Sequence, residues 1–396
     1  MNLYFAWCHK QPIVLFESAA ALRRICQMSE PSFVLSLQSL SLRFPPPETT
    51  NQRYLLDLDN MAATARHQIM SRLGNNRVEI SYIQALCLLS IVGFNSGKFV
   101  QAGLDLAVAS QLVDSLDTVS GSTDPAQLLY CKRAITMLQN LQGAAPTLVF
   151  PDRFLDSDRA NSEWWNSSSA SVMPVGTDPY QEGLLKATSD LAQVWRMARA
   201  YVIHRPKADE PPPWLIQSDF SKVMTGHLKF DSTIPKEFRY GASRLFDQDP
   251  SSLQRQRHYW MPWLTVQMMF SVIPCLLYHP FLLSIRLKHY RDMMPHSFIQ
   301  QSWEQITRQA GWIMHFLELL ETSALVITDP ALAHCAVIIA TIHLQHSFVQ
   351  DQELQARSRE GFEKCLRFVH RSSRAWPIVA AMVSVLRLGY VEQYPS

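Results

Sequence analysis

Two histidines, His343 and His346, lie three positions apart in an apolar segment, with His334 and Cys335 at least two helical turns before them. On a helix that spacing puts both imidazoles on one face, where with His334 or Cys335 they could hold a metal ion. Protein zinc sites use three or four ligands, and no acidic residue completes this set. Histidines packed into a core or facing solvent account for the same residues. Asp57 and Asp59 could form a Mg²⁺-binding pair, as in helical prenyl-diphosphate enzymes. Residues two apart on a helix point to different sides, however, and no second acidic cluster answers them. The chain has no H-E-x-x-H, no G-x-S-x-G, no phosphate-binding G-x-x-x-x-G-K-[ST] and no dinucleotide-binding glycine fingerprint. The residues therefore assign no catalytic group and no metal set, and the chain is not expected to be an enzyme. A different chemistry is open to Trp260, Trp263, Met268, Met269 and Phe270: they could line an apolar pocket for a small effector, or fill a core. Basic clusters at Arg255/Arg257/His258, Arg286/Lys288/Arg291 and Arg371/Arg374 are short and read as solvated helix ends, not nucleic-acid contacts. Trp164-Trp165, Trp260/Trp263 and Tyr259 read as core or loop anchors, not base-stacking platforms.

The aromatic candidates sit in the most apolar stretch of the chain, residues 258–288, which is interrupted by Pro262, Pro274 and Pro280. Each proline removes a backbone donor and crowds the preceding turn. A membrane span needs about 20 predominantly apolar residues, and Trp263–Leu287 is long enough only if Gln267, His279 and the prolines are accepted. The favoured expectation is a buried, kinked helix or helix pair shielded by other helices.

The rest of the chain can supply them. Charged residues make up only 18% against 47% hydrophobic, which excludes disorder of the whole chain. A net charge of +2 gives no general pull toward nucleic acid or anionic membrane. Thirteen glycines in 396 residues favour helices over sheets. The seven cysteines are scattered, the closest pair 18 apart, with no C-x-x-C; they read as buried thiols in a reducing compartment. The N-terminus is a poor secretory signal, so the sequon at Asn166 is expected to stay unmodified.

Helical periodicity runs along most of the sequence. Residues 12–43 suit one or two short helices ended by Pro45-Pro46-Pro47. Leu55, Leu58, Ala62, Ala65, Ile69 and Leu73 mark a helix over 51–73. A helical hairpin is expected from 79–92, with Ile80, Ile83, Cys87 and Ile91 on one face, and 98–116, where Ala102, Gly103, Ala107 and Ser110 permit close approach. Further helices are expected over 124–142, 183–203, 218–230, 235–246, 331–348, 352–372 and 377–392. After Pro295, Ile306, Ala310, Ile313, Leu317 and Leu320 form a buried stripe. Residues 144–182 read as a long loop. The domain plan is an N-terminal helical segment, 1–50, and one large domain, 51–396. The fold class is all-α, a large multi-helix domain of antiparallel helical hairpins.

The segment "SYIQALCLLSIVGFNSGKFVQAGLDLAVASQLVDSL" (81–116) resembles the opening of the middle homology region of fungal zinc-cluster transcription factors. "AQLLYCKRAITMLQNLQG" (126–143) is similar to that region's next helix, keeping Lys132-Arg133 but carrying Ala134-Ile135 and Gln139-Asn140 where the family has Phe-Trp and Asp-Arg. "PPPWLIQSDF" (211–220), "RHYWMPWLTVQMMFSVIPCLLYHPFLLSIRL" (257–287) and "ITDPALAHCAVIIATIHLQHSF" (327–348) look like later parts of the same proteins, in the same order. The resemblance covers roughly 80–350. It implies a nuclear transcriptional regulator of a fungal metabolic or secondary-metabolite gene set. Family members contact DNA through a six-cysteine zinc cluster; the cluster and the usual coiled coil are missing from this chain. No cofactor and no DNA-binding residue is therefore expected here. Partners would be other transcription regulators or a second copy, with no membrane; direct DNA contact would require a zinc cluster upstream. Two alternatives remain from the residues: a helical enzyme with an apolar pocket, or a scaffold that does not bind DNA.

Overall fold

A computed structural model describes residues 1–11, 13–45, 52–75, 77–118, 124–143, 179–204, 210–245, 248–323 and 325–393. Among them every regular element is a helix. The protein is all-α. Trp164-Trp165, the Asn166 sequon and most of the expected loop at 144–182 lie outside the described residues.

The first half comprises α1 (Asn2–Trp7), α2 (Ala19–Met28), α3 (Pro31–Ser41), α4 (Gln52–Gly74), α5 (Ile80–Asn95), α6 (Phe99–Thr118) and α7 (Pro125–Gln142). The expected boundary near residue 50 falls between α3 and α4. These helices pack on each other, and the N-terminal residues Tyr4, Phe16 and Phe33 belong to the same hydrophobic core as the rest of the chain. Helix α5 is not a one-faced amphipathic helix: all of its residues except Ile80 and Phe94 are buried, because α3, α6 and α7 surround it. The seam with α6 differs in register from the expected one. Ala102, Leu106, Ala109 and Val113 are buried, whereas Ala107 is exposed. Of the expected small residues Ala102 does make the close approach, with Gly93 opposite it, where a Cβ would stand 3.5 Å from that of Ala102.

The second half comprises α8 (Pro179–Ile203), α9 (Asp219–Thr233), α10 (Pro250–Arg255), α11 (Arg257–Leu277), α12 (Pro280–Arg286), α13 (His296–Thr322), α14 (Pro330–His346), α15 (Gln352–Ser372) and α16 (Pro377–Gln393). Three helices begin with the same dipeptide. Asp124, Asp249 and Asp329 each cap a helix whose first residue is proline: the carboxylate takes a free backbone N–H, and the proline lacks the N–H that would otherwise be orphaned. The stripe expected on α13 is buried at all five positions, from Ile306 to Leu320. Residues 235–246 are not one helix but two short 3₁₀ turns, Lys236–Phe238 and Tyr240–Ala242. The Phe238 carbonyl, which an α-helix would give to Ala242, accepts instead from Trp263 Nε1 and Gln267 Nε2, both at 2.9 Å.

Helix α11 is the centre of the second half, packed against α8, α13 and α14. By length and composition the run Arg257–Arg286 could cross a membrane. Its apolarity is accounted for within the protein, since seventeen of the twenty-one residues of α11 are buried. Pro262 and Pro274 lie inside the helix, while Pro280 opens α12 after a break at Tyr278–His279.

Candidate functional site

The helices line a partly open cavity of about 170 Å³. Its wall draws on α1, α3, α5, α6, α7, α8, α11, α14 and α16, so one volume is shared by both halves of the chain. Most of it is apolar and aromatic, with Phe44, Phe94, Phe99, Trp195, Met269 and Trp376 among the contributors. A few polar groups converge on it: Gln11, Asn95, Gln142, Arg199, Thr328, Asp329 and His334. Largely apolar walls with a small number of placed polar groups are the usual make-up of small-molecule sites.

Arg199 is held where α7 ends. Gly143 closes that helix with a positive φ of 72°, and the guanidinium lies over it, 3.2 Å from where a Cβ would be. Arg199 Nη1 donates to the carbonyls of Leu141 and Gln142 at 2.9 and 3.0 Å, the last carbonyls of α7. A cation at a helix C-terminus is favoured by the helix dipole. Arg199 has no carboxylate partner among the described residues, and burial pulls its pKa down.

Asp329 is the carboxylate of the cavity. As N-cap of α14 it accepts from the Ala331 N–H at 2.9 Å and from Thr265 Oγ1 at 3.3 Å. Burial nevertheless raises its pKa, against those two bonds. His334, one turn into α14, meets the Trp195 ring edge to face at 5.7 Å. Burial, then the charge of Arg199, pushes its pKa down to about 4, so it is neutral at physiological pH. Its ring nitrogens have no hydrogen-bond partner among the described residues. Cys8 and Cys335 also border the cavity, and burial raises both thiols, Cys8 to about 12. Neither forms a thiolate near neutral pH, so the cavity holds no activated sulfur nucleophile.

One side of the cavity is fixed by Arg257. Its Nη2 donates to Thr328 Oγ1 at 2.9 Å and to Gln11 Oε1 at 3.3 Å, its Nη1 to the Val326 carbonyl, and its guanidinium lies 4.4 Å from the Trp7 ring centre. Gln11 Nε2 is left buried without a partner.

The expected effector pocket of Trp260, Trp263, Met268 and Phe270 is not assembled as one cavity. Trp260, Trp263 and Met268 are buried in the packed core; Trp263 touches Trp260, Tyr240 and Phe316. Phe270 borders a second cavity, of about 220 Å³, with Gln309, Trp312 and Phe316. Helix geometry gives the reason. Residues 263 and 270 share one side of α11, while Met269 is turned about 100° from Phe270 and reaches the main cavity. Of the aromatic-and-methionine group, Met269 alone lines that cavity.

The other candidates are placed apart. Asp59 is bound to Arg43 at 2.6 Å and to Lys98 at 3.1 Å, while Asp57 is exposed. His343 is wedged against Gly361, and His346 lies against Trp303. Among the described residues no three His, Cys, Asp or Glu side chains gather as a metal site. Arg199 left one trace in the sequence, a Trp195–Arg199 pair one turn apart; Gln11 and Trp7 left none, because Arg257 and Thr328, which hold them at the cavity, lie more than 240 residues away. Comparison with known proteins adds no relative: no family model, curated protein or solved structure matches the chain.

Proposed function

We propose that the protein is a transcriptional regulator of a fungal metabolic or secondary-metabolite gene set, and that its helical body is a regulatory domain that senses a small effector in the main cavity. One observation carries this reading. Four of the five segments that resemble the regulatory region of fungal zinc-cluster factors meet at that cavity: 81–116 through Ile91 and Asn95, 126–143 through Leu138 and Gln142, 257–287 through Met269, and 327–348 through Asp329 and His334. Segments matched separately along the sequence thus share one place in the fold. The placed polar groups without an activated nucleophile support binding over turnover. Such a regulator would act in the nucleus through partner regulators or a second copy.

Transcript profiling after deletion of the gene tests the proposal. A co-located block of genes is expected to change together. Unchanged transcript levels under conditions where the protein is abundant would overturn it.

A further inference from the structure

The main cavity also states what kind of molecule fits it. Its volume is about 170 Å³. A dry protein cavity of about 150 Å³ accepts benzene, so the space suits one ring with a small substituent. Aromatic side chains at Trp195, Phe94, Phe99 and Trp376 supply faces and edges for ring packing.

The polar groups set the charge. Arg199 bonds only the two α7 carbonyls through Nη1, and its Nε and Nη2 hydrogens find no partner among the described residues. A guanidinium carries five N–H donors in a fork that matches a carboxylate. The Arg257 cation stands behind Thr328 and Gln11, again without a carboxylate partner among the described residues. Gln11 adds an orphaned buried donor, Nε2. Against these stands one carboxylate, Asp329, whose oxygens are already engaged by Ala331 and Thr265. The balance leaves the cavity short of negative charge.

We infer that the cavity binds a compact monocyclic aromatic acid, its carboxylate paired with the free edge of Arg199 and its ring held by the wall that includes Trp195, Met269 and Trp376. This rests on the reading that the main cavity is the effector site. It selects against neutral rings of the same size, which would leave the Arg199 donors unmatched.

Calorimetric titration of the pure full-length chain with benzoate, and with the isosteric neutral benzamide, tests it. Benzoate is expected to bind one to one and at least tenfold more tightly than benzamide. Arg199→Gln should cost benzoate tenfold or more and benzamide less than twofold. Ala331→Leu, which adds volume at the wall, should abolish both. Equal affinities in the unmodified protein, or no binding of either probe, overturn the inference whether or not the variants fold. So does undiminished benzoate binding by a folded Arg199→Gln protein. If benzoate fails while deletion still changes a gene block, the ligand class falls and the regulatory reading stands. If benzoate binds while transcripts stay unchanged, the reverse holds.

Discussion

His227 Nε2 lies 2.8 Å from the carbonyl oxygen of Phe270, on the neighbouring helix. That carbonyl has lost its helical partner, because residue 274, four positions on, is a proline. A carbonyl only accepts, so Nε2 carries the hydrogen, and a side chain of α9 replaces the missing backbone donor of α11. The two rings also stack, with centres 4.2 Å apart. His227→Phe keeps the stacking but leaves the carbonyl unsatisfied, and should cost about 1–3 kcal/mol in urea unfolding. Replacing Pro274 with Ala in the same background restores a donor and should recover most of the loss; no recovery would mean that the histidine acts only through packing.

A second buried polar contact joins α4 to α6. Arg66 grips Asp105 in a bidentate pair, Nε to Oδ1 at 2.8 Å and Nη2 to Oδ2 at 2.7 Å, with the Asp105 side chain fully buried. Arg66→Leu alone strands a buried carboxylate and should lower stability by about 3–5 kcal/mol. Adding Asp105→Leu removes the stranded charge, so the double variant should be more stable than Arg66→Leu. A double variant that loses the sum of both single effects would show that the two groups act independently, with no energetic coupling across the pair.

Much of this fold was legible because periodicity is local. The α13 stripe and the bounds of α15 follow from spacing within one segment, and a helix needs no distant partner to reveal its face. Legibility stopped where distant groups decide. Residues 235–246 fail to form one helix because Trp263 and Gln267 take the Phe238 carbonyl. The pocket candidates on α11 divide, with Trp260, Trp263 and Met268 in the packed core and Phe270 at the second cavity, because only the neighbours of α11 show which of its faces borders open space. The cavity itself joins Trp7 to Met382, and its key contacts, such as Thr328 with Gln11 at 2.7 Å, span over 300 residues. No spacing rule reaches that far.

Acid should unfold this protein earlier than its carboxylates alone would. Burial, the largest influence on each, holds His279, His334 and His343 near pKa 4 in the folded chain, against about 6.5 when unfolded. Above pH 6.5 both states are neutral and their full contribution to stability is present. As pH falls from 6.5 toward 4 the unfolded chain takes up protons that the folded chain refuses, so stability drops, by about 1.4 kcal/mol per pH unit for each such group. Asp190 and Asp329, whose pKa values burial raises, offset part of this only at the acid end, where they take up protons in the folded state. Urea midpoints should therefore fall steeply between pH 6.5 and 4.5 and stay nearly flat from 7 to 8. A flat profile down to pH 5 would mean that these imidazoles are free to take protons in the folded state.

His343 and Gly361 hold α14 against α15. A Cβ added at Gly361 would stand 2.6 Å from His343 Cε1 and 2.7 Å from Nε2, too near for any side chain. The glycine sits within α15, where alanine would otherwise gain about 1 kcal/mol in helix propensity. Overpacking of this kind costs about 1–3 kcal/mol, so Gly361→Ala should be net destabilising, or at best neutral, in thermal or urea unfolding. The ring itself is poorly served, since both His343 nitrogens are buried without a partner. In a His343→Ala background the obstacle is gone and Gly361→Ala should become stabilising. The sign of the substitution thus depends on a single neighbour. The same sign in both backgrounds would show that the glycine is required by something other than the imidazole packed over it.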